Sequence, residues 1–95
     1  MKPLTLHLKR EFWEAIRDGS KKEEFRLRTP YWTTRLDGQM FSEVILLCGY
    51  PKRGDDSRTL RRKWKGYKKK LTRHAHFGKG LVSVYAIDVS EAVEG

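Results

Sequence analysis

Between Glu43 and Val89, strand-like runs follow one another too closely to be joined by crossover helices. Glu43–Cys48 is an apolar run bounded by Gly38 and Gly49, the pattern of a central strand. Leu81–Val89 carries branched and aromatic residues on both faces and reads as a second central strand. Leu60–Trp64 and Tyr67–Phe77 lie between them, joined at Gly66, and the longest spacer is the loop Gly49–Ser57. Parallel crossovers have no room there. The expectation is an α+β fold in which about six strands, mainly antiparallel, curl into a small β-barrel with two short helices.

Both helices fall in the first half. Leu4-Thr5-Leu6-His7-Leu8 alternates as a strand with one buried face and points His7 outward. From Lys9 to Asp18 the period changes, with Phe12, Ala15 and Ile16 forming an apolar stripe and Trp13 beside it, and Gly19 stops this helix. Glu23 to Arg28 alternates again. Phe25 and Leu27 share one face, expected to enter the core, while Glu24, Arg26 and Arg28 share the other. Thr29 can cap and Pro30 can open a second short helix, which Leu36-Asp37-Gly38 ends, and Tyr31 or Trp32 can wall a pocket beside the charged strand.

Ninety-five residues support one domain, here 1–95 with its core in 4–89. The formal charge of +9 favours polyanionic partners. The excess is local: from Lys52 to Lys79, twelve Lys and Arg face only Asp55 and Asp56, a balance of +10. Cys48 is the only cysteine, so no internal disulfide can form, and a reducing cytoplasm is the expected setting. No signal peptide is expected, and no apolar run approaches the ~20 residues of a membrane span. No membrane association is expected.

Tyr67–Phe77 places Lys68, Lys70, Thr72, His74 and His76 on one strand face that is wholly polar and mostly cationic. Cations that track phosphates, with rings that stack bases, are what single-stranded nucleic acid requires. The candidate contacts are Lys52, Arg53, Arg61, Arg62, Lys63, Lys68, Lys70, His74 and His76 with Tyr50, Trp64 and Tyr67. RNA or another single-stranded nucleic acid is the expected partner. His74-x-His76 also has a spacing usable for acid and base chemistry, but no third or fourth ligand is evident, so neither metal nor cofactor is expected. The serines lack a nucleophile elbow, and Cys48 has no cation adjacent in sequence to activate it. That leaves Lys21, Glu24 and Arg26 as candidate catalytic residues, with a structural ion pair between Glu24 and Arg26 as the competing reading.

Gly19-x-Lys21-x-x-Glu24-x-Arg26 resembles the signature of the ASCH domain, a small β-barrel family similar in fold to PUA RNA-binding domains. Gly49-Tyr50-Pro51-Lys52, Trp64-x-Gly66-Tyr67 and His76-Phe77-Gly78 resemble a subgroup of it, and the domain that the resemblance implies covers residues 4 to 89. The resemblance implies a PUA-like barrel with a cleft holding Lys21, Glu24 and Arg26 beside a surface suited to RNA. The leading expectation is an RNA-binding protein, whose cleavage of RNA, if it is catalytic, is metal-independent; the alternatives are an amidohydrolase that deacetylates a modified nucleoside such as N4-acetylcytidine and a regulatory RNA-binding module without chemistry. The amidohydrolase pattern carries a lysine where Lys21 stands and a threonine nucleophile where this chain has Glu24. Glu24 cannot replace that threonine as an acyl acceptor, although it can act as a base for water.

Overall fold

The computed structural model describes residues 1–93, so the last two positions of the expected domain lie outside the described residues. In chain order the elements are β1 (Leu4–Leu8), α1 (Arg10–Asp18), β2 (Glu23–Leu27), α2 (Pro30–Leu36), β3 (Val44–Cys48), β4 (Thr59–Arg62), β5 (Tyr67–Thr72) and β6 (Val82–Asp88). Single 3₁₀ turns at Asp56–Arg58 and Ala75–Phe77 precede β4 and follow β5.

The six strands form two three-stranded sheets with orders β1-β3-β4 and β2-β6-β5. β1 and β3 are parallel, and the other three pairings are antiparallel. The two apolar runs are the central strands, each hydrogen-bonded on both edges, which satisfies backbone groups that their burial removes from water. No ladder closes the two sheets into one barrel among the described residues. Near β4 the chain beyond β6 crosses between them: Lys63 N donates to the Glu91 carbonyl, and Arg62 bridges to Ala92. The opposite side is open, where β1 and β2 are both sheet edges.

One apolar cluster lies between the sheets. Leu4, Leu6 and Leu8 of β1, Val44, Leu46 and Cys48 of β3, and Tyr85 and Ile87 of β6 meet there. Helix α1 adds Trp13 and Ile16, both nearly inaccessible, and the Trp13 indole donates to the Leu46 carbonyl at 3.0 Å. That polar tether explains why Trp13, set beside the expected stripe, is the ring drawn inward. Phe12 is only half-buried.

Gly19 terminates α1 with φ +88°, a left-handed conformation that costs a residue with a Cβ. Thr29 accepts from the Trp32 N–H and Pro30 occupies the first turn of α2, as their order predicts. The strand expected to run to Phe77 ends at Thr72. His74 and His76 therefore do not share a strand face with Lys68 and Lys70. The His74 ring instead accepts from the His76 N–H and caps the 3₁₀ turn.

Candidate functional site

Strand β2 turns its charged side inward. In the ladder Glu24 stands opposite Ile87 and Arg26 opposite Tyr85, both members of the apolar cluster between the sheets, so Glu24 and Arg26 occupy the core side of the sheet. Phe25 and Leu27 stand opposite Ala86 and Val84, on the other side. This reverses the expected orientation. Both alternating sets could satisfy a period of two, and the register with β6 selects between them.

Glu24 is the only buried charged residue described, with 6% of its surface accessible. An isolated carboxylate at such a site would be strongly destabilising, and two cations offset the loss of water. Arg26 donates through Nη2 to Glu24 Oε2 at 2.9 Å. Lys21 Nζ stands 3.6 Å from Oε1, close enough for Coulomb attraction but beyond a good hydrogen bond. Lys21 is delivered by the turn after α1, where its N–H donates to the Ala15 carbonyl at 3.0 Å and holds the residue against the helix.

Aromatic faces support both cations. Lys21 Nζ lies 4.9 Å from the Phe25 ring centre and 5.6 Å from that of Phe12, while the Arg26 guanidinium lies 5.1 Å from the Trp32 ring. Arg26 Nη2 also donates to the His7 carbonyl at 2.9 Å, linking β2 to β1. Its Nε is buried without a partner. A donor left unmet costs about 1–3 kcal/mol, which the bonds made by Nη2 have to offset.

These groups line a cleft of about 290 Å³ in the open seam between the sheets. Its walls are the end of β1, the start of α1, β2, Trp32 of α2, and the turn carrying His74, His76 and Phe77. The His76 and Phe12 rings meet edge-on at 5.3 Å, and the His74 and Phe25 rings at 6.1 Å. The two histidines therefore join Lys21, Glu24 and Arg26, although they were expected on the remote basic face. Trp32 walls this cleft, whereas Tyr31 is exposed and borders a separate groove.

No family model, curated protein or solved structure matches this chain.

The remaining candidate residues are dispersed. Arg61 pairs with Glu43 at 2.6 Å, Lys63 with Glu91 at 3.3 Å, and Lys70 with Glu23 at 2.6 Å. Arg62 donates to the carbonyls of Val89, Arg61 and Ile16, and burial lowers its pKa from the ordinary guanidinium value. Trp64 packs edge-on to Phe41 at 4.9 Å as part of the core rim. The Tyr67 hydroxyl donates to Asp37 at 3.0 Å and accepts from the Gly38 N–H at 3.1 Å, tying β5 to the end of α2. Lys68 on β5, with Tyr50, Lys52 and Arg53 in the loop after β3, remains exposed.

Sequence reasoning did not assign Phe12, Phe25 or His7 to the cleft. The signal for Phe12 was present: Trp13 and Ile16 already supply a three-residue core spacing, which leaves Phe12 on the flank facing β2. Nothing local indicated His7, whose contribution depends on how the sheets meet. Among the described residues no group of three His, Cys, Asp or Glu side chains is placed to hold a metal ion.

Proposed function

We propose that this chain binds single-stranded RNA and holds one nucleotide in the cleft, where its residues suit metal-independent cleavage. The observation that carries this reading is Glu24, buried between Lys21 and Arg26 in a cleft whose cations rest on aromatic faces. Two cations against one carboxylate favour an anionic ligand, and the rings favour a flat one. A nucleotide is both. The volume lies at the lower end of the roughly 300–1,000 Å³ typical of small-molecule sites, which suits one nucleotide unit and not two. The resemblance of Gly19-x-Lys21-x-x-Glu24-x-Arg26 to the ASCH signature, and the PUA-like arrangement that it implies, support the same reading.

The chemistry is an intramolecular transesterification, in which the ribose 2′-oxygen forms a bond to phosphorus and the bond from phosphorus to the 5′-oxygen breaks. Glu24 or a neutral histidine takes the 2′-hydroxyl proton, and the oxygen attacks phosphorus to form a 2′,3′-cyclic phosphate. The departing 5′-oxygen takes a proton from a protonated histidine. Lys21 and Arg26 stabilise the added charge on the phosphorane oxygens. His74 and His76 strengthen this reading because they line the same cleft as Glu24.

Incubation of short single-stranded RNA with the protein in EDTA tests both parts. The expected products end in 2′,3′-cyclic phosphate, form in EDTA and are lost in Lys21→Ala. RNA binding without products would reduce the function to recognition, and turnover of N4-acetylcytidine with intact RNA would replace it with amide hydrolysis.

A further inference from the structure

The ring of Tyr50 lies over that of His7, with centres 4.3 Å apart and planes inclined by 21°. Parallel stacking at this distance leaves one Tyr50 face against the imidazole and the other towards solvent, and Tyr50 is 84% exposed. The arrangement is built by the backbone. Gly49 N–H donates to the Leu8 carbonyl at 2.8 Å and closes the β1–β3 pairing at Leu8 and Cys48. Gly49 then takes φ +66°, which turns the chain back over β1 and sets Tyr50 above His7. The imidazole is fixed in turn, because Nδ1 lies 2.8 Å from the Gly49 carbonyl and must carry the proton to donate to it.

His7 also borders the cleft, and its own carbonyl receives Arg26. The open face of Tyr50 thus adjoins the nucleotide site through one shared residue. Lys52 and Arg53 follow in the same loop, exposed and without an ion-pair partner among the described residues. An aromatic ring already held in position, with unpaired cations next to it, loses little freedom when a base stacks on it.

We infer that the His7–Tyr50 stack is a second base subsite, which makes the preferred ligand a single strand of at least two nucleotides rather than a free nucleoside. This rests on the reading of the cleft as a nucleotide site. The cleft takes one nucleotide, the neighbouring base stacks on the outer face of Tyr50, and Lys52 and Arg53 meet the phosphates beyond it. A duplex is excluded from this subsite because its bases are already stacked on one another.

The test is titration of the protein with the four nucleoside 5′-monophosphates and with matched 5′-phosphorylated homodinucleotides. A 2′-fluoro group in place of the 2′-hydroxyl keeps the dinucleotides uncleaved. At least one dinucleotide should bind about tenfold more tightly than its monophosphate. Tyr50→Ala should erase that advantage, a loss of five- to a hundredfold being typical of one stacked base, and Tyr50→Phe should retain it. Monophosphate binding with no dinucleotide advantage, or an equal loss for both ligands in Tyr50→Ala, would overturn the subsite alone. Failure of every monophosphate to bind would overturn the cleft reading and the subsite with it.

Discussion

The Arg26 guanidinium donates to the His7 carbonyl at 2.9 Å and so joins two strand edges that no backbone ladder joins. Through the same nitrogen it also reaches Glu24. Fold and cleft therefore share one side chain, and the contributions of stability and binding at this position have to be measured separately.

Arg26→Ala leaves Glu24 buried with only the longer contact to Lys21. Breaking a buried pair typically costs about 3–5 kcal/mol, and the 19% exposure of the Arg26 side chain places the expected loss near the lower figure, about 3 kcal/mol. Urea denaturation measures it. Glu24→Gln combined with Arg26→Met should be less destabilising than the sum of the single changes, since no buried carboxylate is left without its arginine and only Lys21 loses a partner. Strict additivity would show that the pair is not coupled.

Lys21 presents the opposite case. Its 3.6 Å approach to Glu24 is loose, so Lys21→Ala should lower the urea midpoint by clearly less than Arg26→Ala does. RNA affinity or cleavage should nevertheless fall at least tenfold. A variant that unfolds readily would make Lys21 a structural residue, and one that keeps full activity would remove Lys21 from the proposed chemistry.

The basic surface makes a contrast within one strand. Lys70 is paired with Glu23, whereas Lys68 has no ion-pair partner among the described residues. Lys68→Ala should reduce the slope of log affinity against log salt by about 0.7, the value for one phosphate contact on a single strand. Lys70→Ala should change it little. Equal effects would mean that RNA displaces Glu23 from Lys70.

Acidification should destabilise the protein through its paired carboxyls. Hydrogen bonds from Tyr67 and then Lys69 hold Asp37 below its ordinary pKa, Arg61 does the same for Glu43, and Lys63 for Glu91. Because the unfolded chain binds these protons more readily, the stabilisation is complete above the ordinary carboxylate range. It is lost as the pH falls through that range towards the lowered values. Asp37 and Glu91 face solvent, so their effects are small, and Glu43 is more covered. Asp37→Asn should flatten the decline in urea midpoint between neutral and acid pH, and an unchanged decline would remove Asp37 from this account.

Much of the framework was legible without coordinates. Alternation marked Leu4, Leu6 and Leu8 as buried, Gly19 and Thr29-Pro30 placed the helix ends, and the two apolar runs became the central strands. These features follow from local rules in which neighbouring residues decide the conformation. Alternation also showed that Glu24 and Arg26 share a face, but it could not say which face turns inward. That was decided by pairing with Tyr85 and Ile87, about sixty residues away in sequence. The same holds for charge. Arg61, Lys63 and Lys70 read as free cations in sequence, and their partners Glu43, Glu91 and Glu23 come from other elements. The sequence by itself determined which segments become strands and helices and which side chains travel together. Tertiary structure decided which of them meet, because the seam between β1 and β2, the histidine turn beside Glu24 and the ring of Tyr50 over His7 depend on contacts that no local pattern encodes.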